Sequence, residues 1–162
     1  MITGLIYDRT AEDVAFARRI AERIRAGEEL TAEESAAWAA GCKGCYNAAD
    51  LNRVQDAATE LADKLTLYGY YDAVPAPHGD WVAMDVPTQA DWIAYTGMAH
   101  TNRRCFYVFP DTPPLPEIGA PLDYVGANAI ERTIYDQSVL LDRLIEAFRK
   151  SGTFAAGEEY DL

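Results

Sequence analysis

Two stretches of this sequence repeat apolar residues at alternating intervals of three and four, and this pattern restricts the fold more than any other feature. The first stretch contains Leu51, Val54, Ala58, Leu61, Leu65 and Tyr68. The second contains Ala127, Ile130, Ile134, Gln137, Leu141, Leu144 and Phe148. Such spacing gives a helix one apolar face, which packs against another helix. Asn47 and Asp123 stand at the N-cap positions, and Gly69 and Gly152 mark the ends. The sequence therefore predicts an all-α helical bundle with two long helices, the first about 30 Å long.

Capping residues predict two or three shorter helices in addition. Each of these begins at a threonine that is followed by an acidic residue three positions later: Thr10, Thr31 and Thr88. Glycines at positions 27 and 41 end the first two of these helices. The end of the third is open, because residues 105–109 could finish the helix or form a buried strand.

The last long helix follows a proline-rich connector, which we expect to be stiff and extended. Its prolines are Pro110, Pro113, Pro114, Pro116 and Pro121. Residues 70–87 form a predicted loop. The chain has 162 residues, which fits a single domain. We predict one α-helical domain over residues 1–152 and an acidic, frayed C-terminal tail over residues 153–162.

The charge balance restricts the partners. The chain has 14 Lys and Arg against 26 Asp and Glu, which gives a net charge of −12. Nucleic-acid backbones and anionic membranes both require basic patches, so we expect neither as a partner. The N-terminus lacks the basic and apolar regions of a signal peptide, and no apolar run is long enough to cross a bilayer. These features indicate a protein that is cytoplasmic when it is synthesised.

The sequence offers one candidate metal or redox motif, Cys42-Lys43-Gly44-Cys45. A redox pair of this spacing normally follows a strand, whereas here a predicted helix ends just before Cys42. A structural zinc site needs four ligands, and Cys105, His78 and His100 form no second paired motif. We therefore expect Cys42 and Cys45 to be packed thiols, and we expect no cofactor.

Catalytic motifs have no support in the sequence. No serine stands in a Gly-x-Ser-x-Gly context, and there is no phosphate-binding glycine loop. The acidic residues on the predicted helices are not accompanied by the E-x-x-H motif of di-iron bundles. We therefore expect a protein that is not an enzyme.

Aromatic residues suggest a recognition surface instead. Tyr and Trp are favoured at interfaces because each combines a large area with a polar tip. The candidate surface consists of Tyr70, Tyr71, Trp81, Trp92 and Tyr95. The alternative is that these side chains fill the space between the helices and the loop. Trp38, the large apolar residue of the second helix, is expected to pin that helix to the domain.

Five sequence blocks, in the same order, resemble prophage proteins of Firmicutes that are encoded among tail and baseplate genes, alone or as modules of tail-fibre-like proteins. The first block, D-R-T-x-x-D-V, is matched by Asp8, Arg9, Thr10, Asp13 and Val14. The second is matched by Gly44 to Val54, with Leu61 to Leu65 and Gly69-Tyr70 after it. The others are matched by Asp85, Val86, Pro87, Thr88, Asp91 and Trp92, then by Ala127, Asn128, Ile130 and Glu131, then by Ser151, Gly152, Gly157 and Glu158.

The resemblance implies a structural or interaction module without catalytic residues. Its partners would be other virion proteins or a host protein, and a homo-oligomer is compatible with that role. The alternative is a phage-encoded regulator or anti-defence protein that binds a host factor through an acidic or aromatic surface. Within the second block, Asn52 and Arg53 are placed to bridge to another helix, for example to Glu131 or Asn128. We interpret that block as a folding signature.

Overall fold

The protein folds as an all-α bundle. Its structure is a computed structural model that describes residues 1–151. The helices of these residues are α1 (Ala11–Ala26), α2 (Ala32–Ala39), α3 (Ala48–Leu67), α4 (Gln89–Cys105) and α5 (Tyr124–Ser151). Residues 1–151 contain no strand, and none of their helices is both long and apolar enough to cross a membrane. The predicted tail over residues 153–162 lies outside the described residues.

The main core lies where α3 and α4 pack against α5. The predicted apolar faces of the two long helices meet there, with Val54, Leu61, Ile130 and Leu141 almost completely buried. The faces are shorter than the spacing predicts, because Tyr68 and Phe148 at their C-terminal ends are exposed. Helices α1 and α2 pack on each other and enclose a second, smaller cluster.

Four helices begin with the predicted capping boxes. Their N-caps are Thr10, Thr31, Asn47 and Thr88. In each helix the cap side chain accepts the backbone N–H three residues later, and the acidic side chain of that residue accepts the N–H of the cap. Asp123 accepts the backbone N–H of Gly126 in the same way at the start of α5.

Because of the capping boxes, the free energy of unfolding should decrease when the pH becomes acidic. Hydrogen bonds from the caps lower the pKa of Asp13, Glu34 and Asp91. A carboxyl group with a lowered folded-state pKa stabilises the fold fully above its unfolded pKa of about 4 and loses that effect as pH falls through the folded value. We expect Asp13→Asn to be less stable than the wild type at pH 7. The difference in urea midpoint should narrow between about pH 5 and about pH 3. A difference that stays constant over this range would contradict the prediction.

Residues 105–109 match neither of the two expected structures. Helix α4 ends at Cys105, and Phe106 continues in an extended conformation without a partner strand. The side-chain amide of Gln137 donates to the carbonyls of Asn102 and Phe106, at 2.9 and 3.1 Å. Gln137, the polar member of the apolar repeat on α5, therefore satisfies backbone groups at the end of α4.

Side-chain amides hold the irregular segments onto the helices. Three asparagines each bond both the N–H and the carbonyl of one distant residue, at 2.8–3.1 Å. The pairs are Asn52 with Trp81, Asn102 with Val74, and Asn128 with Arg9. The first two fix the loop between α3 and α4, and the third fixes the N-terminal segment on α5. Each amide takes the place of the neighbouring strand that such a backbone would otherwise need.

The proline-rich connector is fixed along α4 by polar contacts. His100 Nε2 lies 2.8 Å from the carbonyl of Pro116, and Arg103 donates to the carbonyl of Pro113 at 2.7 Å. The hydroxyl of Thr96 accepts the N–H of Gly119 at 2.9 Å. The connector therefore covers α4 and leads the chain back to the start of α5.

Candidate functional site: a cleft lined by the three tryptophans

All three tryptophans of the chain line one open cleft of about 640 Å³. Trp38 lies near the end of α2, Trp81 in the loop between α3 and α4, and Trp92 in the first turn of α4. The first turns of α3 form the wall between them. The cleft therefore joins the small α1–α2 unit to the main bundle.

The loop that carries Trp81 is held in place by contacts with α3 and by contacts within the loop. Asn52 in α3 bonds both backbone groups of Trp81, and the indole stacks on the ring of His78 with centroids 4.2 Å apart. Further along the loop, Asp85 Oδ2 accepts the N–H of Val82 at 2.7 Å. These contacts fix the loop as one wall of the cleft before any ligand arrives.

The rim of the cleft exposes aliphatic side chains. Val82, Met84 and Val86 are 59%, 89% and 83% exposed, and all three lie in the loop that forms the wall. Ala83 and Pro87, between and after them, line the cleft itself. Several exposed apolar side chains beside a cleft are a common mark of an interaction site.

The structure divides the predicted aromatic surface. Trp81 and Trp92 reach the cleft, although Trp81 is largely buried and Trp92 half-buried. Tyr95 is 1% exposed and belongs to the core, so its place in an exposed surface was wrong. Tyr70 is half-buried and packs edge-on against Phe106. Tyr71 is exposed but does not line the cleft.

Two residues of the site were missed by the sequence analysis. Trp38 does not only pin α2, because 42% of its surface remains exposed at the cleft. Tyr46 is the second missed residue. It lines the cleft, and its hydroxyl is hydrogen-bonded to that of Tyr95. Burial raises the pKa of Tyr46 well above its ordinary value, so this hydroxyl stays neutral. Trp38 could have been found from its position, since it is the only large apolar side chain on a short helix.

The charged groups of Arg9, Asp50, Arg53 and Glu131 pair with one another, although the Nε atoms of both arginines have no partner. Arg9 bonds Glu131 at 2.8 Å and Asp50 at 3.0 Å, and Arg53 bonds the same two carboxylates at 3.1 and 2.7 Å. The predicted bridge from Arg53 to Glu131 is therefore confirmed, whereas Asn52 reaches the backbone of Trp81 instead of another helix. Two arginines and two carboxylates balance in charge, so removing one of them would leave an uncompensated charge inside the fold.

The two free cysteines of the Cys42–Cys45 motif do not line the cleft. Cys42 is buried against Ala17 and Ile20 of α1, and the N–H of Cys45 donates to the Cys42 carbonyl at 2.7 Å. Burial raises the pKa of the Cys45 thiol, which disfavours the reactive thiolate. Within residues 1–151, no three His, Cys, Asp or Glu side chains are grouped so that they could hold a metal ion.

The arrangement suits recognition through shape and aromatic contact. Its ionisable lining groups are the neutral Tyr46 and the carboxylate of Asp85, which lies on the rim. Indole rings offer large, rigid surfaces that lose little conformational freedom on binding. Compared with known families, curated proteins and solved structures, the chain matches none.

Proposed function

We propose that this protein is a non-enzymatic interaction module that docks another protein at the tryptophan cleft. The proposal rests on one observation: three tryptophans line one cleft, and the loop that forms one of its walls exposes Val82, Met84 and Val86. Exposed aliphatic residues beside an aromatic cleft lose contact with water when a protein partner covers them, and this supplies binding energy. The buried ionisable groups face one another and hold the fold, which also supports a role in binding.

The resemblance to prophage tail and baseplate proteins supports a partner among virion proteins. A module in such an assembly needs a rigid docking face and no catalytic group. The fixed backbone of the cleft loop fits this requirement, because Asn52 and Asp85 hold it in one conformation. Mass spectrometry of particles purified from the encoding strain tests this assignment. Absence of the protein from the particles would favour the alternative role as a regulator that binds a host factor.

Selection from a random peptide library tests the docking function directly. We expect the immobilised wild type to enrich a sequence motif, and we expect Met84→Glu to reduce binding of the enriched peptides at least about tenfold. Met84 is 89% exposed, so the charge is added without disturbing the core. The measurement is the dissociation constant of the enriched peptides for each variant.

The matched control is Leu67→Glu at the opposite end of α3. Leu67 is also an exposed apolar residue, at 76%, and it lies in the last turn of α3, outside the loop that carries Met84. It should bind the enriched peptides as tightly as the wild type does. Equal binding by Met84→Glu, or no enrichment over uncoated beads, would contradict a docking role for the cleft.

A further inference from the structure

The sequence around the cleft is acidic and contains no lysine or arginine over long stretches, and the side chain near the cleft that can gain a positive charge is His78, which stacks on Trp81. Between Lys64 and Arg103 there is no lysine or arginine, but there are four aspartates: Asp72, Asp80, Asp85 and Asp91. Between Arg25 and Lys43, the stretch that carries Trp38, there are four glutamates and again no basic residue. Two of the three walls of the cleft therefore come from segments without lysine or arginine, although Arg19 and Arg23 of α1 pair with Glu28 and Glu34. A complementary partner is positively charged.

We propose that the tryptophan cleft takes an arginine or lysine side chain from the partner protein. The cation lies against the indole rings beside Asp85, and its apolar neighbours pack on the exposed loop. This inference rests on the proposed docking function and names the chemistry of the docked segment.

The lining of the cleft favours a cation for two physical reasons. Indole is the best aromatic ring for cation–π contact, and a guanidinium also stacks flat on it. Asp85 adds a carboxylate whose Oδ2 is oriented by the N–H of Val82. Among the described residues, no hydrogen bond or ion pair occupies its Oδ1, which remains for the ligand. The N-terminus of α3 does not oppose a cation strongly, because the Asp50 carboxylate caps it.

The polar groups of the cleft argue against a sugar as the ligand. A glycan needs several side chains with free donors and acceptors. Asn47 uses its Oδ1 on the N–H of Asp50 and its Nδ2 on the carbonyl of Gly41. Asn52 uses both polar atoms on Trp81, and the Tyr46 hydroxyl is paired with Tyr95. Apart from the indole N–H groups, of which that of Trp81 is buried without a partner, Asp85 is the lining side chain with a free polar atom, and one carboxylate suits one cation.

The three tryptophans make the test direct. Because they all line the cleft, the indole N–H signals in a ¹H–¹⁵N NMR spectrum report on this site and no other. The probe is acetyl-Leu-Arg-Leu-amide, and its control is the same peptide with neutral citrulline in place of arginine. We expect the arginine peptide to shift the indole signals and the citrulline peptide to bind roughly tenfold more weakly.

Two matched variants test whether the charge of Asp85 itself, and not the conformation of its loop, is needed for binding. In Asp85→Asn the amide oxygen can still accept the N–H of Val82, so the loop is kept while the charge is removed. We expect this variant to weaken binding of the arginine peptide about fivefold. Asp63→Asn makes the same charge change on an exposed residue of α3 outside the cleft, and it should bind as the wild type does.

Each remaining outcome overturns the inference. Equal binding of the arginine and citrulline peptides would show that the positive charge is not recognised. If Asp85→Asn and Asp63→Asn weakened binding of the arginine peptide equally, the net charge of the protein and not the position of Asp85 would explain the loss. No shift of any indole signal would exclude a basic side chain as the ligand. The library selection keeps the two proposals apart, since an enriched motif without Arg or Lys would leave the docking function standing and reject the cation.

Discussion

Glu131→Ala is expected to destabilise the protein by about 3–5 kcal/mol, the cost of leaving a buried charge without its partner. Glu131 is completely buried on α5 and accepts hydrogen bonds from Arg9, Arg53 and the N–H of Ile6. Without it, the buried guanidinium of Arg9 keeps only Asp50 as a counter-charge. A domain of this size is stable by about 5–15 kcal/mol, so the change takes a large part of the total. The urea midpoint at pH 7 is the measurement.

Glu60→Ala is the matched control for this prediction. Glu60 pairs with Lys64 one turn away on the exposed face of α3, at 2.6 Å. An exposed pair of this kind contributes only about 0.3–0.5 kcal/mol. A midpoint shift for Glu131→Ala no larger than that of Glu60→Ala would show that the network does not hold the fold.

A double variant keeps the prediction testable if Glu131→Ala does not fold. Glu131→Gln retains the shape and part of the hydrogen bonding, and Arg9→Met removes the charge that Glu131 balances. The two changes together should destabilise by less than the sum of their separate effects, with a coupling of about 0.5–3 kcal/mol. Additive effects would mean that Arg9 and Glu131 do not stabilise each other.

The helices of this fold could be predicted because their signals are local. The capping boxes at Thr10, Thr31, Asn47 and Thr88 each lie within four residues, and the apolar faces of α3 and α5 follow one period. The bridge from Arg53 to Glu131 is one of the contacts expected between the two long helices, for which Asn128 was the other partner considered.

The path of the irregular segments could not be predicted. It depends on contacts between positions far apart in sequence, such as Asn128 with Arg9 and Asn102 with Val74. An asparagine on a helix gives no sign of which backbone its amide will bind. The N-terminal residues therefore looked featureless, although they bond α5 through Ile2, Ile6 and Arg9.

The candidate site was found only in part for a related reason. Trp92 and Tyr95 are three residues apart, so their spacing puts them on one face of α4. The structure places Trp92 at the cleft and Tyr95 one turn deeper, against Tyr46. Periodicity gives the face of a helix but not the depth of each residue along it. Trp38 comes from another helix, and its arrival at the cleft depends on how α2 packs.

Gly44→Ala is expected to destabilise the α1–α2 unit by at least about 2 kcal/mol, because the added methyl group has no space. A Cβ at Gly44 would lie 2.0 Å from the carbonyl oxygen of Asp13 and 2.6 Å from the backbone N of Val14. These are backbone atoms in the first turn of α1, so no side chain can turn away to make room. Either α1 shifts as a whole or the turn from Cys42 to Cys45 opens. Urea unfolding gives the total loss of stability.

Hydrogen exchange locates that loss, since α1 and α2 enclose a cluster of their own, separate from the main core. Amides of α1 should lose protection in Gly44→Ala, while those of α5 keep most of theirs. The control is Gly97→Ala, in the interior of α4, where a Cβ meets nothing within 4 Å. Alanine is the better helix former there, so this variant should gain about 0.5–1 kcal/mol. The same substitution should therefore lower the stability at Gly44 and raise it at Gly97. Unchanged protection of the α1 amides in Gly44→Ala would show that the contact with Asp13 does not hold α1 in place.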